Sequence, residues 1–162
     1  MPPLRIAIIG FGKIAADQHA PSILANSRLE LVATSSRTGT GPEPRFTDWR
    51  QLLDEVKGLD AVAITTPPSA RYEIARACLE HGLHTLLEKP PTATLSEIED
   101  LATLAAARKV TLFTTWHAQH HPAVTAAAAA LAGKRIAAMD IRWHEDVRKW
   151  HPGQRWIWEP GG

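Results

Sequence analysis

Apolar runs alternate along the chain with segments of helical spacing. Ile6 to Ile9 is an unbroken apolar run, the pattern of a strand buried on both faces in a parallel sheet. Leu29–Thr34, Ala61–Thr65, His84–Leu87 and Val110–Thr114 read as further strands. Between them the pattern predicts a helix from Lys13 to about Asn26, bent or ended early by Pro21. A second helix, Trp49–Val56, has Asp48 as its N-cap, and a third runs from a Ser69 cap to His81, closed by Gly82. A fourth, Leu95–Arg108, carries Ser96 and Glu99 at the spacing of a capping box. Thr38–Pro44 is a Gly/Pro loop. Strand and helix in alternation predict βαβ units around a doubly wound parallel sheet, an α/β domain over residues 1–120. The character then changes. Pro122–Ala132 is alanine-rich, helical by propensity and expected to pack closely through its small side chains. Ile136–His144 reads as one more strand, and the tail from Arg148 has no periodicity. A lone strand makes no independent sheet, so residues 121–162 are expected to begin a second, incomplete α+β domain.

Composition narrows the class. The 162 residues carry a net charge of +1, and no Lys/Arg run exceeds a pair, which argues against a nucleic-acid footprint. No apolar stretch approaches a membrane span, and the first strand begins too early to leave room for a signal peptide. The single cysteine, Cys78, lies in an apolar helical pattern and is expected to be a buried small hydrophobe. A soluble cytoplasmic protein is expected.

The candidate chemistry sits where strands end. Gly10-x-Gly12-x-x-Ala15 follows the first strand and opens a helix, the context of a dinucleotide-binding turn. Gly10 permits the bend, Gly12 lets the backbone approach a pyrophosphate, and Ala15 keeps helix and strand close. The expected cofactor contacts are Gly10, Phe11, Gly12, Lys13, Ile14, Ser36, Arg37, Thr66, Glu88 and Lys89. At the end of the second strand, where an NAD enzyme usually carries a carboxylate, the chain reads Thr34-Ser35-Ser36-Arg37. Hydroxyl and guanidinium groups suit a ribose 2′-phosphate, which favours NADP while leaving NAD open. Lys89, in Glu88-Lys89-Pro90-Pro91, is placed to donate to a substrate hydroxyl, and a cis bond could fix the chain before Pro90. By position alone a solvated surface lysine is the alternative. Trp116-His117 follows the next strand, so His117 either orients substrate or is a hydrogen-bonded structural histidine. His117, His120 and His121 have no carboxylate or cysteine at a convincing spacing, and no metal is expected. Trp143 to His151 mixes aromatic and charged groups as sugar sites do; on a continued strand Trp143, Glu145 and Val147 would share one face.

Gly10-x-Gly12-x-x-Ala15, Thr66-Pro67-Pro68 and Glu88-Lys89-Pro90 together resemble the Gfo/Idh/MocA oxidoreductase family, whose first domain is a Rossmann fold. The tail from Glu145 to Gln154, with Ser36-Arg37 and Thr115-Trp116-His117, is similar to the branch that oxidises D-galactose and L-arabinose at C1. The resemblance implies oxidation of the anomeric hydroxyl to a lactone with hydride transfer to a nicotinamide. It implies Lys89 as the catalytic lysine and His117, Glu145 and Trp150 as the lining of the sugar site. Members of that branch continue into an Asp-Pro-Gly-x-Asn segment and a large sheet that usually mediates dimerisation. The chain therefore reads as a fragment or a truncated form. A non-catalytic NADP sensor and a dehydrogenase for an inositol or another sugar are the open alternatives.

Overall fold

The computed structural model describes residues 2–142, 144–150 and 152–158, without the side chains of Trp150 and Trp156. Two units divide between Thr115 and Trp116. The first is built on six parallel strands: β1 (Leu4–Ile9), β2 (Leu29–Ser35), β3 (Arg45–Phe46), β4 (Ala61–Ile64), β5 (His84–Leu87) and β6 (Leu112–Thr114). Their order across the sheet is β3-β2-β1-β4-β5-β6. The chain winds outward from β1 in one direction and then from β4 in the other, which is the Rossmann arrangement expected from the strand–helix alternation. The two-residue β3 follows the Gly/Pro loop and is too short to leave a periodic signal.

β1 is buried on both faces. Ala7 and Ile9 pack into a core with Leu52, Ile64, Ile74, Cys78, Leu79, Leu87 and Leu101, supplied by α2 (Trp49–Glu55), α3 (Pro68–Glu80), α4 (Leu95–Arg108) and their strands. Ile8 points the other way, into a smaller cluster with Ala15, Ala20 and Ile23. Cys78 is fully buried, as its pattern predicted, and burial pushes its thiol up to about 12.

Several local expectations are corrected. Pro21 does not end the first helix: a π-turn over Ala15–His19 leads into α1 (Ala20–Leu24), with Ala20 N–H donating to Ala15 C=O. Proline lacks an N–H and crowds the carbonyl four residues back, and the wider turn relieves both conflicts. Ser69 is not a cap, because α3 starts at Pro68, a residue pre-set for a helix's first turn. The capping box of α4 is Thr94 with Glu97, not Ser96 with Glu99. Thr94 has the extended backbone a cap requires, whereas Ser96 is already inside the helix. Asp48 does cap α2, accepting from Arg50 N–H at 2.9 Å. β6 begins at Leu112 rather than Val110, because the helix end at Lys109 turns left-handed (φ 57°) and Val110 N–H returns to Ala105 C=O.

In the second unit a 3₁₀ turn (His117–His120) leads to α5 (Pro122–Leu131), then to α6 (Val147–Trp150) and a 3₁₀ turn at Arg155–Trp158, with no regular element described between α5 and α6. α5 forms as alanine propensity predicts, but none of its residues is buried, so the expected close packing is absent. Methyl side chains offer little apolar area to drive docking. The strand expected at Ile136–His144 does not form among the described residues, and Ile136, Met139 and Ile141 are exposed. No neighbouring strand pairs with it, and an unpaired strand has no ladder to hold it. Glu145 and Val147 consequently share no strand face, since Val147 opens α6; Trp143 lies outside the described residues. Among the described residues no helix is long and apolar enough to cross a membrane.

Candidate cofactor and active site

Parallel pairing in register brings four strand ends to one edge of the sheet. Ile9 lies opposite Ser35 and Ile64, and Ile64 opposite Leu87. Beyond them Gly10 N–H donates to Ser35 C=O (2.7 Å), Thr65 N–H to Ile9 C=O (2.8 Å), Glu88 N–H to Ile64 C=O (3.1 Å) and Thr115 N–H to Leu87 C=O (2.8 Å). The strand order reverses between β1 and β4, and open parallel sheets bind ligands outside the carboxyl ends at such a point.

The two motif glycines are required for different reasons. Gly10 has φ +95°, and a Cβ there would come within 2.7 Å of Thr66 Cγ2 and the Thr66 amide nitrogen. At Gly12 a Cβ would meet nothing nearer than the Gly10 carbonyl, at 3.7 Å. The protein leaves room over Gly12, which is where the motif brings its backbone to a pyrophosphate. Ala16 N–H donates to Gly12 C=O (3.0 Å), so the first-turn amides of Lys13, Ile14 and Ala15 have no intrahelical acceptor and suit an anion. Ala15 is fully buried. Phe11 is half-buried against β1, Lys13 pairs with Asp17, and Ile14 is exposed.

At the end of β2 the hydroxyls of Ser36, Thr38 and Thr40 form a cluster, with Ser36 and Thr40 Oγ atoms 2.9 Å apart. Thr40 Oγ1 donates to Phe11 C=O (2.9 Å), tying this loop to the glycine turn. Arg37 is exposed and makes no hydrogen bond or ion pair among the described residues. Thr38 and Thr40 were not singled out in the sequence, although the hydroxyl–glycine run Ser36 to Gly41 is visible there. Beside Gly10, Thr66 Oγ1 is buried with no partner among the described residues. Open space at Gly12, free first-turn amides, a hydroxyl cluster and an unengaged guanidinium together fit a dinucleotide.

Two β-strands away, Lys89 is exposed at the end of β5, and the peptide bond to Pro90 is cis. Glu88 holds this turn from below. Its carboxylate can only accept, so His19 Nε2–H donates to Glu88 Oε1 (2.8 Å), and Lys89 N–H donates to Oε2 (3.1 Å). Burial pushes the Glu88 carboxyl up, but the hydrogen bonds it accepts, led by that from His19, outweigh this and hold it below its usual range. Arg71 of α3, buried, donates to the carbonyls of Thr66, Glu88 and Pro90. Neither His19 nor Arg71 was picked out in the sequence. Arg71 had a legible signal: with Ile74, Ala75 and Cys78 it occupies the apolar stripe of α3, where a cation is out of place.

The remaining expected site residues belong to the second unit. His117 opens its 3₁₀ turn and is exposed. Glu145 is exposed ahead of α6, in an open recess with His144, Asp146 and Arg148. Trp150 lies in α6, with its side chain outside the described residues. His121 caps α5, its Nδ1 accepting from Ala123 N–H at 3.2 Å.

The fold and the glycine turn at its strand edge define a dinucleotide-binding domain. Residues 4–116 match the oxidoreductase family with an NAD-binding Rossmann fold, and the chain belongs to that Gfo/Idh/MocA family. It is 40% identical to a galactose 1-dehydrogenase of Pseudomonas fluorescens over 99% of its own length and 52% of that protein's. The crystal structure of a D-galactose-1-dehydrogenase protein from Rhizobium etli superposes with a TM-score of 0.88 at 48% identity, over all of this chain and 53% of that one. A 3-ketoreductase from Actinomadura kijaniata, solved with TDP-benzene and NADP, gives a TM-score of 0.71 at 30% identity, over 80% of this chain and 43% of that one. The chain thus spans about half the length of the relatives it matches.

Proposed function

We propose that this chain carries the cofactor domain and the reactive lysine of an NADP-preferring aldose 1-dehydrogenase that oxidises D-galactose or L-arabinose to the lactone. The observation that carries the reading is the position of Lys89, after β5, the strand next to β4 of the switch point, and on the same sheet edge as the glycine turn. The similarity to galactose 1-dehydrogenases directs it to an aldose. Gly10 to Ile14 and Thr66 hold the dinucleotide backbone, Ser36 and Arg37 take the 2′-phosphate, and Glu88 and Lys89 border the nicotinamide. When bound, NADP supplies the hydride acceptor. The Lys89 ammonium donates a hydrogen bond to the anomeric oxygen and stabilises the negative charge that develops there as the hydroxyl proton passes to solvent water. By the same similarity His117, Glu145 and Trp150 are assigned to the sugar, and a chain that carries the C-terminal sheet of this branch forms a homodimer. NADP pools and a reduced Cys78 fit a cytoplasmic setting.

Fluorescence titration with NADPH and NADH tests the cofactor reading. NADPH should bind more tightly, and Arg37→Ala should bring the two affinities together; equal affinities in the unmodified protein would sink the NADP assignment. In a chain that turns over D-galactose, Lys89→Met should abolish turnover and spare NADPH binding. Unchanged turnover removes Lys89 from the reaction.

A further inference from the structure

Arg71 is a cation at a core position of α3, only 3% exposed. Burial pushes its guanidinium down to about 10, against the opposing pull of Glu88, so it remains charged at neutral pH. An apolar side chain would occupy this buried position at less desolvation cost. What the guanidinium does instead is join two strand ends. One terminal nitrogen donates to the carbonyls of Glu88 and Pro90, the residues on either side of Lys89, and the other to Thr66, which follows β4 beside Gly10. No other side chain among the described residues bonds to both carbonyls flanking Lys89.

We infer that Arg71 is the positioning residue for Lys89: by clamping the carbonyls of Glu88 and Pro90 to the Thr66 strand end, it fixes the backbone from which the lysine reaches the substrate. The inference rests on the proposed role of Lys89. The guanidinium suits the task because its planar fork presents several donors at fixed angles to several acceptors, which a lysine ammonium cannot reproduce. Its three acceptors are main-chain atoms, so it constrains the path of the turn whatever side chains the turn carries. Displacing a reacting group by about 1 Å can cost about 100-fold in rate.

The test compares Arg71→Met and Arg71→Lys by two readouts. Hydrogen exchange on the chain itself needs no turnover: in Arg71→Met, exchange should accelerate in segments 65–67 and 87–92 while the amides of β1 keep their protection. In a chain that oxidises D-galactose, kcat should fall about 100-fold in Arg71→Met with KM little changed, and Arg71→Lys should lie between. Uniform acceleration that includes β1 would make Arg71 a general packing residue and overturn the inference, as would an unchanged kcat. Should Arg71→Met fail to fold, Arg71→Lys carries both readouts. Lys89→Met separates the two claims. If it is inactive while Arg71→Met is normal, positioning alone fails; if it keeps full turnover, the role of Lys89 fails and the exchange result stands by itself.

Discussion

Gly10 and Gly12 stand two residues apart in one motif, yet alanine should act on them through different energies. At Gly10 the backbone at φ +95° is unfavourable for an L-residue, and the new Cβ would sit 2.7 Å from both Thr66 Cγ2 and the Thr66 amide nitrogen. The positive φ costs about 1–2 kcal/mol. Overpacking against a backbone atom adds about 1–3 kcal/mol, because the neighbour cannot rotate away. A total near 3 kcal/mol, with a urea m-value of about 1.5 kcal/mol/M, moves the unfolding midpoint down by about 2 M. At Gly12 the nearest atom to a Cβ is 3.7 Å away, and φ is not in the left-handed range. There Ala should cost no more than about 1 kcal/mol, the helix-cap difference, while filling the space over the turn and weakening NADPH binding. Urea unfolding followed by circular dichroism, with NADPH titration of each variant, separates the cases. If Gly10→Ala unfolds at the parent midpoint, or Gly12→Ala loses equal stability with unchanged NADPH affinity, the division of labour is wrong.

Two further outcomes are expected. Glu88 is held below its usual range in the folded state, so it contributes stability above the ordinary carboxylate pKa of about 4.3, and this is lost as pH falls through the lower folded value. Glu88→Gln should therefore be less stable than the parent at neutral pH and converge with it in acid; parallel curves at every pH would refute the linkage. Cys78 is fully buried, with its thiol pushed up to about 12, so it should resist a thiol reagent in the folded chain and react once in denaturant. Rapid labelling of the native chain would contradict its burial.

The sequence alone determined the elements that depend on local pattern. The apolar run Ile6–Ile9, the glycines after it and the alternation of strands with helices specify a parallel α/β sheet, because strand burial and helix spacing are written into neighbouring residues. Asp48 was readable as a cap and Cys78 as core for the same reason. Lys89 could be placed at a strand end, though not what holds it there. Tertiary structure decided whatever depends on partners distant in the chain. Ile136–His144 has strand-like residues, but among the described residues no strand pairs with it, and Ile136, Met139 and Ile141 are exposed. The alanines of α5 make a helix and bury nothing. Pro21 was expected to bend the first helix or end it early, and one widened turn before it absorbs the conflict. The hydrogen bonds to the residues flanking Lys89 come from His19 and Arg71, separated from it by up to about 70 residues, and Arg71 ties them to Thr66 only when β4 and β5 align in register. A cation in the apolar stripe of α3 marks in the sequence that something polar must meet it. Only the folded sheet shows that what meets it is the pair of carbonyls flanking Lys89, because backbone acceptors carry no sequence signature and are brought together by topology alone.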